Sequence, residues 1–204
     1  ESGSDLDKED ELEPWYEGNG QRYRRRGAAA DAPDLDFLAV ARARTAEVLR
    51  QRRIKKQRYA LAADKFNSQP GKLSWLTYAQ ELGLLQFLPD GKPDPKAIAQ
   101  FLKSTPGLSK SAIGEFLSKG PIDLHPLNAA VLREYVETFD FSQMSFDEAL
   151  RNFLAMFRLP GEAQCIDRLM EAFANQSFTQ VGPGNPFANA DAAFILAFST
   201  IMLN

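Results

Sequence analysis

From about Leu38 onward, apolar residues in this chain return every three or four positions, the spacing that stacks them on one side of an α-helix. Residues 73–82 bring Leu73, Leu76, Ala79 and Leu82 together and stop at Gly83. Residues 95–104 align Ile98, Phe101 and Leu102, and residues 109–119 align Ala112, Ile113, Phe116 and Leu117 behind Ser109, a good N-cap. The scheme repeats in 127–139 through Val131, Leu132, Tyr135, Val136 and Phe139. Ser145 stands three residues ahead of Glu148, the spacing of a capping box, and opens another helix. Ile166, Leu169, Met170 and Phe173 form the next stripe. The last stretch, 189–204, is apolar nearly all round, with Asn189 as its cap. Pro and Gly punctuate the intervals, and no window alternates long enough to predict a strand. The pattern predicts an all-α protein of short helices joined by short turns, stacked pairwise into a right-handed superhelix and not a long four-helix bundle.

The first 37 residues break this pattern. An acidic run from Asp5 to Glu17 is followed by Arg22-Tyr-Arg-Arg-Arg26 and an Ala-rich spacer. So little apolar surface does not offset the entropy of ordering, which predicts a charged linker, disordered in part. The expected organisation is this linker (1–37), an N-terminal helical subdomain (38–140) and a C-terminal subdomain (141–204). Residues 42–58 carry eight Lys or Arg against one Glu. That face is solvated, or it lies on an anionic membrane or an upstream regulatory domain.

Composition narrows the chemistry. A net charge of −3 disfavours a dedicated nucleic-acid binder, and no apolar run is long enough to span a bilayer. A single Cys (Cys165) and a single His (His125) leave no disulfide, no ordinary zinc site and no usual Ser/His or Cys/His triad. Cys165 is expected to be a small buried thiol, and this cysteine usage fits a reducing, cytosolic compartment.

Two stretches depart from plain helix-and-turn chemistry. In FRLPGEAQ (157–164), Pro160 disfavours helix at Leu159, Gly161 permits an unusual backbone angle, and Glu162 falls in the next helix's first turn, where the dipole favours an acid. Those local reasons suffice to explain the carboxylate, although two exposed helices need less constraint than this merely to turn. AFILAFSTIMLN (193–204) is either a central core helix or one that offers an apolar groove to a partner.

Taken together, FRLPGEAQ and the later pattern N-x-D-x-x-F-x-L-A-F-x-x-I-M-L-N resemble the paired signature motifs of the Sec-seven domain, the exchange unit for Arf GTPases. SKSAIGEFLSK is similar to that family's K-x-x-I-G-(D/E)-(F/Y) helix, and the likeness covers roughly residues 44–204. Asn185-Pro-Phe-Ala-Asn-Ala-Asp191 is similar to the corresponding run of the large Golgi members, the brefeldin-linked Gea group, and suggests a fungal one.

The resemblance implies that Glu162 is a glutamate finger. A carboxylate entering the GTPase's nucleotide site repels the β-phosphate, excludes Mg²⁺ and offers the phosphate-loop Lys a substitute partner. No covalent bond is made or broken, so the protein is an exchange catalyst and not an enzyme in the covalent sense, and no cofactor or metal is expected. Helix 189–204 becomes the floor of a hydrophobic groove for the GTPase, with Ile201, Met202, Phe198, Ser199 and Asn204 as contacts and Asp167 as a polar interface position. Phe157, Leu159, Pro160 and Gly161 are expected to support the loop, with Pro160-Gly161 as its mount. The implied activity promotes GTP loading and vesicle coat recruitment, placing the protein in the cytoplasm and peripherally on Golgi membranes. The family's pattern continues past Met-Leu-Asn into further helices, so the 141–204 subdomain is expected to be incomplete. Phe198-Ser199 mixes residues found in brefeldin-sensitive and resistant members. A non-catalytic helical adaptor, binding a partner helix in the same groove, is the competing reading.

Overall fold

The computed structural model describes residues 16–18, 21–23, 35–181 and 186–203. It divides into two compact units, residues 1–51 and 52–204. In the first, β1 (Tyr16–Gly18) and β2 (Gln21–Tyr23) form an antiparallel pair in which Tyr16 faces Tyr23 and Glu17 faces Arg22. This short ladder lies inside the stretch expected to be a linker, where no strand was foreseen. α1 (Leu35–Ser68) starts three residues before the periodicity suggested and contributes to both units.

The second unit is all-α, as the pattern predicts: the end of α1, then α2 (Ser74–Glu81), α3 (Pro95–Ser104), α4 (Lys110–Leu117), α5 (Pro126–Glu137), α6 (Phe146–Ala155), α7 (Ala163–Val181) and α8 (Ala190–Met202). The expected caps form. Ser109 accepts from the Ala112 N–H, Asn189 accepts from the Ala192 N–H at 2.9 Å, and Ser145 and Glu148 complete a capping box. Gly83 ends α2 with φ of +70°, a conformation that costs a glycine little.

Aromatic side chains fill the core. Trp75, which lies off the stripe read from 73–82, is fully enclosed between Phe66, Phe101 and Phe116, with ring centroids 4.9, 5.7 and 5.5 Å away. Leu73, on the stripe, is exposed because it precedes the helix, so its side chain is not held on α2's inner face. A second set, Tyr135, Phe139, Phe141, Phe153, Phe157 and Phe173, continues the same apolar cluster. Phe153 stacks on Phe173 at 5.5 Å and meets Phe157 edge-on at 4.9 Å. Each such buried ring contributes on the order of 2–3 kcal/mol of transfer free energy. Phe157 therefore anchors the chain immediately before the Pro-Gly turn.

Candidate functional site

The turn 157–162 is seated on α4. The Arg158 N–H donates to the Lys110 carbonyl at 2.9 Å, and Lys110 Nζ donates to the Ala155 carbonyl at 2.6 Å, closing the last turn of α6. Gly114 lies directly beneath: a Cβ there would fall 1.9 Å from the Arg158 carbonyl oxygen. The backbones touch, and only hydrogen fits between them.

Gly161 does not occupy the left-handed region, and a Cβ on it would meet nothing within 4 Å, so the unusual backbone angle expected there is absent. The seat is made by long-range packing of Phe157 and Arg158, which the local Pro-Gly dipeptide did not reveal. Lys110 and Gly114 carried no assigned role in the sequence reading. Their signal was present in the K-x-x-I-G run, but the partner that makes the glycine necessary is 44 residues away.

Glu162 is the residue before α7, and its carbonyl accepts from the Cys165 and Ile166 N–H groups at 3.0 and 3.2 Å. Its side chain is exposed, and among the described residues no cation lies within ion-pair distance of it. Its neighbour is Cys165 Sγ, 3.9 Å from Oε2. Cys165 is half-exposed, in contrast to the expected buried thiol, because it lies in α7's first turn and only Ile166 beside it turns inward. Arg168 reaches back from α7: Nη2 donates to Cys165 Sγ at 3.4 Å, and Nε donates to the Ser118 carbonyl at 2.8 Å. Its guanidinium fills the space over Gly120, 2.6 Å from where a Cβ would sit.

α8 packs on α7 through Ala193 and Ala197, which are fully buried. It is not a central core helix. Ala193 and Ala197 face inward, while Ile195, Leu196 and Met202 turn outward, 62%, 45% and 47% exposed. Phe198 and Ile201 are half-buried against the core, with the Phe198 ring 5.7 Å from that of Phe194. Ser199 is half-buried, and Asn204 lies outside the described residues. Leu159 and Pro160 are half-buried, while Phe157 is enclosed. Asp167 lines a cleft of about 270 Å³ with Glu171, Ala174 and Asn175 of α7 and Ala190, Asp191 and Phe194 of α8. The first turn of α8 thus lies beside the middle of α7. Ile195, Leu196 and Leu203, which the sequence reading did not single out, belong to the exposed apolar surface. An all-round apolar helix gives no sign of which side faces out.

No group of three or more His, Cys, Asp or Glu side chains among the described residues is arranged to hold a metal. No helix among them is long and apolar enough to cross a membrane.

The all-α scaffold carries an exposed carboxylate, Glu162, just ahead of α7 and turns Ile195, Leu196 and Met202 of α8 outward. Residues 55–204 match the Sec7 domain, and the chain belongs to that family. It is 41% identical over 175 residues to the ARF guanine-nucleotide exchange factor GNL2 of Arabidopsis thaliana, covering 85% of this chain and 12% of that protein. The crystal structure of the Sec7p catalytic domain superposes with a TM-score of 0.60 at 38% identity, covering 70% of this chain and 68% of that one. A structure of ARF1-GDP bound to a Sec7 domain with brefeldin A matches with a TM-score of 0.60 at 33% identity, covering 72% and 68%.

Proposed function

We propose that this chain accelerates GDP release from an Arf-family GTPase, with Glu162 as the group inserted toward the β-phosphate and Mg²⁺ site. The observation that carries this reading is an exposed carboxylate with no ion-pair partner among the described residues, held on a turn whose preceding residues are pinned to α4. A charge kept out of internal pairing is available to repel phosphate and to engage a lysine in another protein. Pre-organisation matters because ordering a free side chain on binding consumes much of the gain. The apolar side of α8, with Met202, Ile201 and Phe198 and with Asp167 on the adjoining cleft, supplies the docking surface.

The test is release of fluorescent GDP from a truncated Arf. Glu162→Ala is expected to lower the rate strongly and Glu162→Lys more so, because reversal replaces a repulsion toward phosphate with an attraction. A Glu162→Lys protein as fast as wild type sinks the mechanism. If instead Glu162 variants leave release and affinity unchanged while Met202 changes abolish binding, the adaptor reading replaces it.

In the wider setting, the proposed role is GTP loading for vesicle coat recruitment by a cytoplasmic protein, peripheral on Golgi membranes, within the large brefeldin-linked Golgi subgroup. The exposed basic side chains of α1, from Arg42 to Arg58, would face an anionic membrane surface. Flotation with liposomes containing acidic lipid should capture the chain at low salt and release it at high salt. Binding indifferent to both lipid charge and salt contradicts that assignment.

A further inference from the structure

We infer that α4 is a brace that holds the Glu162 turn from both sides, with Gly114 and Arg168 as positioning residues for the carboxylate; this rests on the exchange reading above. At α4's first turn, the Lys110 carbonyl takes the Arg158 N–H at 2.9 Å, four residues before Glu162. At its last turn, the Ser118 carbonyl takes Arg168 Nε at 2.8 Å, six residues after Glu162. Both carbonyls belong to an eight-residue helix and its C-cap, so the two grips are fixed relative to each other by one rigid element. The two bonds thus hold the chain to α4 on either side of the turn.

Gly114 sets the height of the turn on this brace. It lies inside α4 with no positive φ, where a glycine costs about 1 kcal/mol relative to alanine and is not required by the backbone. Its reason is the Arg158 carbonyl oxygen, 1.9 Å from the position of a Cβ, with the Arg158 carbonyl carbon at 3.1 Å. The obstacle is backbone and cannot rotate away. An alanine forces that oxygen from 1.9 Å to beyond 3.0 Å, which displaces the stretch of chain leading into Glu162. Gly120 serves the other grip: its missing Cβ leaves room for the Arg168 guanidinium.

The experiment uses the 204-residue chain with Gly114→Ala and, as a second perturbation at the other grip, Arg168→Lys, which keeps the charge and loses the Nε donor. Fluorescent-GDP release gives kcat and KM for the GTPase, and amide hydrogen exchange follows Arg158 and the 158–162 turn. Displacing a reactive group by about 1 Å costs up to about a hundredfold in rate. Both variants are expected to lose about ten- to a hundredfold in kcat with KM nearly unchanged. Gly114→Ala should also lose protection at the Arg158 amide while amides of α7 around Phe173 stay protected. Activity loss that merely follows a loss of melting temperature, or unchanged protection at Arg158, overturns the inference. If wild type releases nucleotide no faster than the GTPase alone, the exchange reading is what fails, and the exchange pattern at Arg158 still decides whether α4 sets the turn.

Discussion

Met202→Ala separates docking from catalysis. Met202 is 47% exposed, near the C-terminal end of α8. Burying a whole Met side chain is worth about 1.5–3 kcal/mol, so a partner that covers the exposed half gains roughly 1 kcal/mol. Truncation to alanine therefore raises KM for the GTPase about fivefold, since 1.4 kcal/mol is tenfold. Met202 is not part of the apolar core cluster, so kcat and melting temperature should hold. The assay is GDP release at a series of GTPase concentrations, with melting followed in parallel. A fall in kcat at constant KM would refute the reasoning, because it would place Met202 in the rate step and not in docking. No change in either parameter would remove this end of α8 from the interface.

Three further outcomes follow from the geometry. Gly161→Ala should leave melting unchanged, since the added methyl meets open space at an ordinary backbone angle, so any loss of exchange in that variant reports contact with the partner. Asn189→Ala removes the side chain that caps α8 at the Ala192 N–H and should cost about 1 kcal/mol in denaturant titration, read as fraying of α8's first turn. Burial pushes the Tyr135 hydroxyl up from 10.0 to about 12. A raised folded-state value means the contribution is fully present below pH 10 and is lost as pH climbs through 12. Tyr135→Phe should flatten this alkaline loss relative to wild type without destabilising at neutral pH, because the hydroxyl has no hydrogen-bond partner among the described residues. Identical alkaline curves for the two proteins would contradict it.

What the amino-acid order determined by itself was local. Helical periodicity, the Ser109, Ser145 and Asn189 caps and the Gly83 stop depend on residues within one or two turns of each other, so they are legible without a fold. The paired motifs also pointed to the Sec7 family, because their residue types and spacing are distinctive. What only the tertiary structure decided was long-range. The burial of Trp75 depends on rings from α1, α3 and α4, and the half-exposure of Cys165 depends on how α7's first turn meets the surface. The division of α8 into an alanine side turned inward and an Ile-Leu-Met side turned outward has no signature in a helix apolar all round. The stiffness of FRLPGEAQ was written most plainly at Pro160-Gly161, yet it is enforced from α4, where Gly114 yields its side chain to the Arg158 carbonyl. A glycine's necessity is set by what approaches it, and the approaching atom belongs to a residue that only folding brings near.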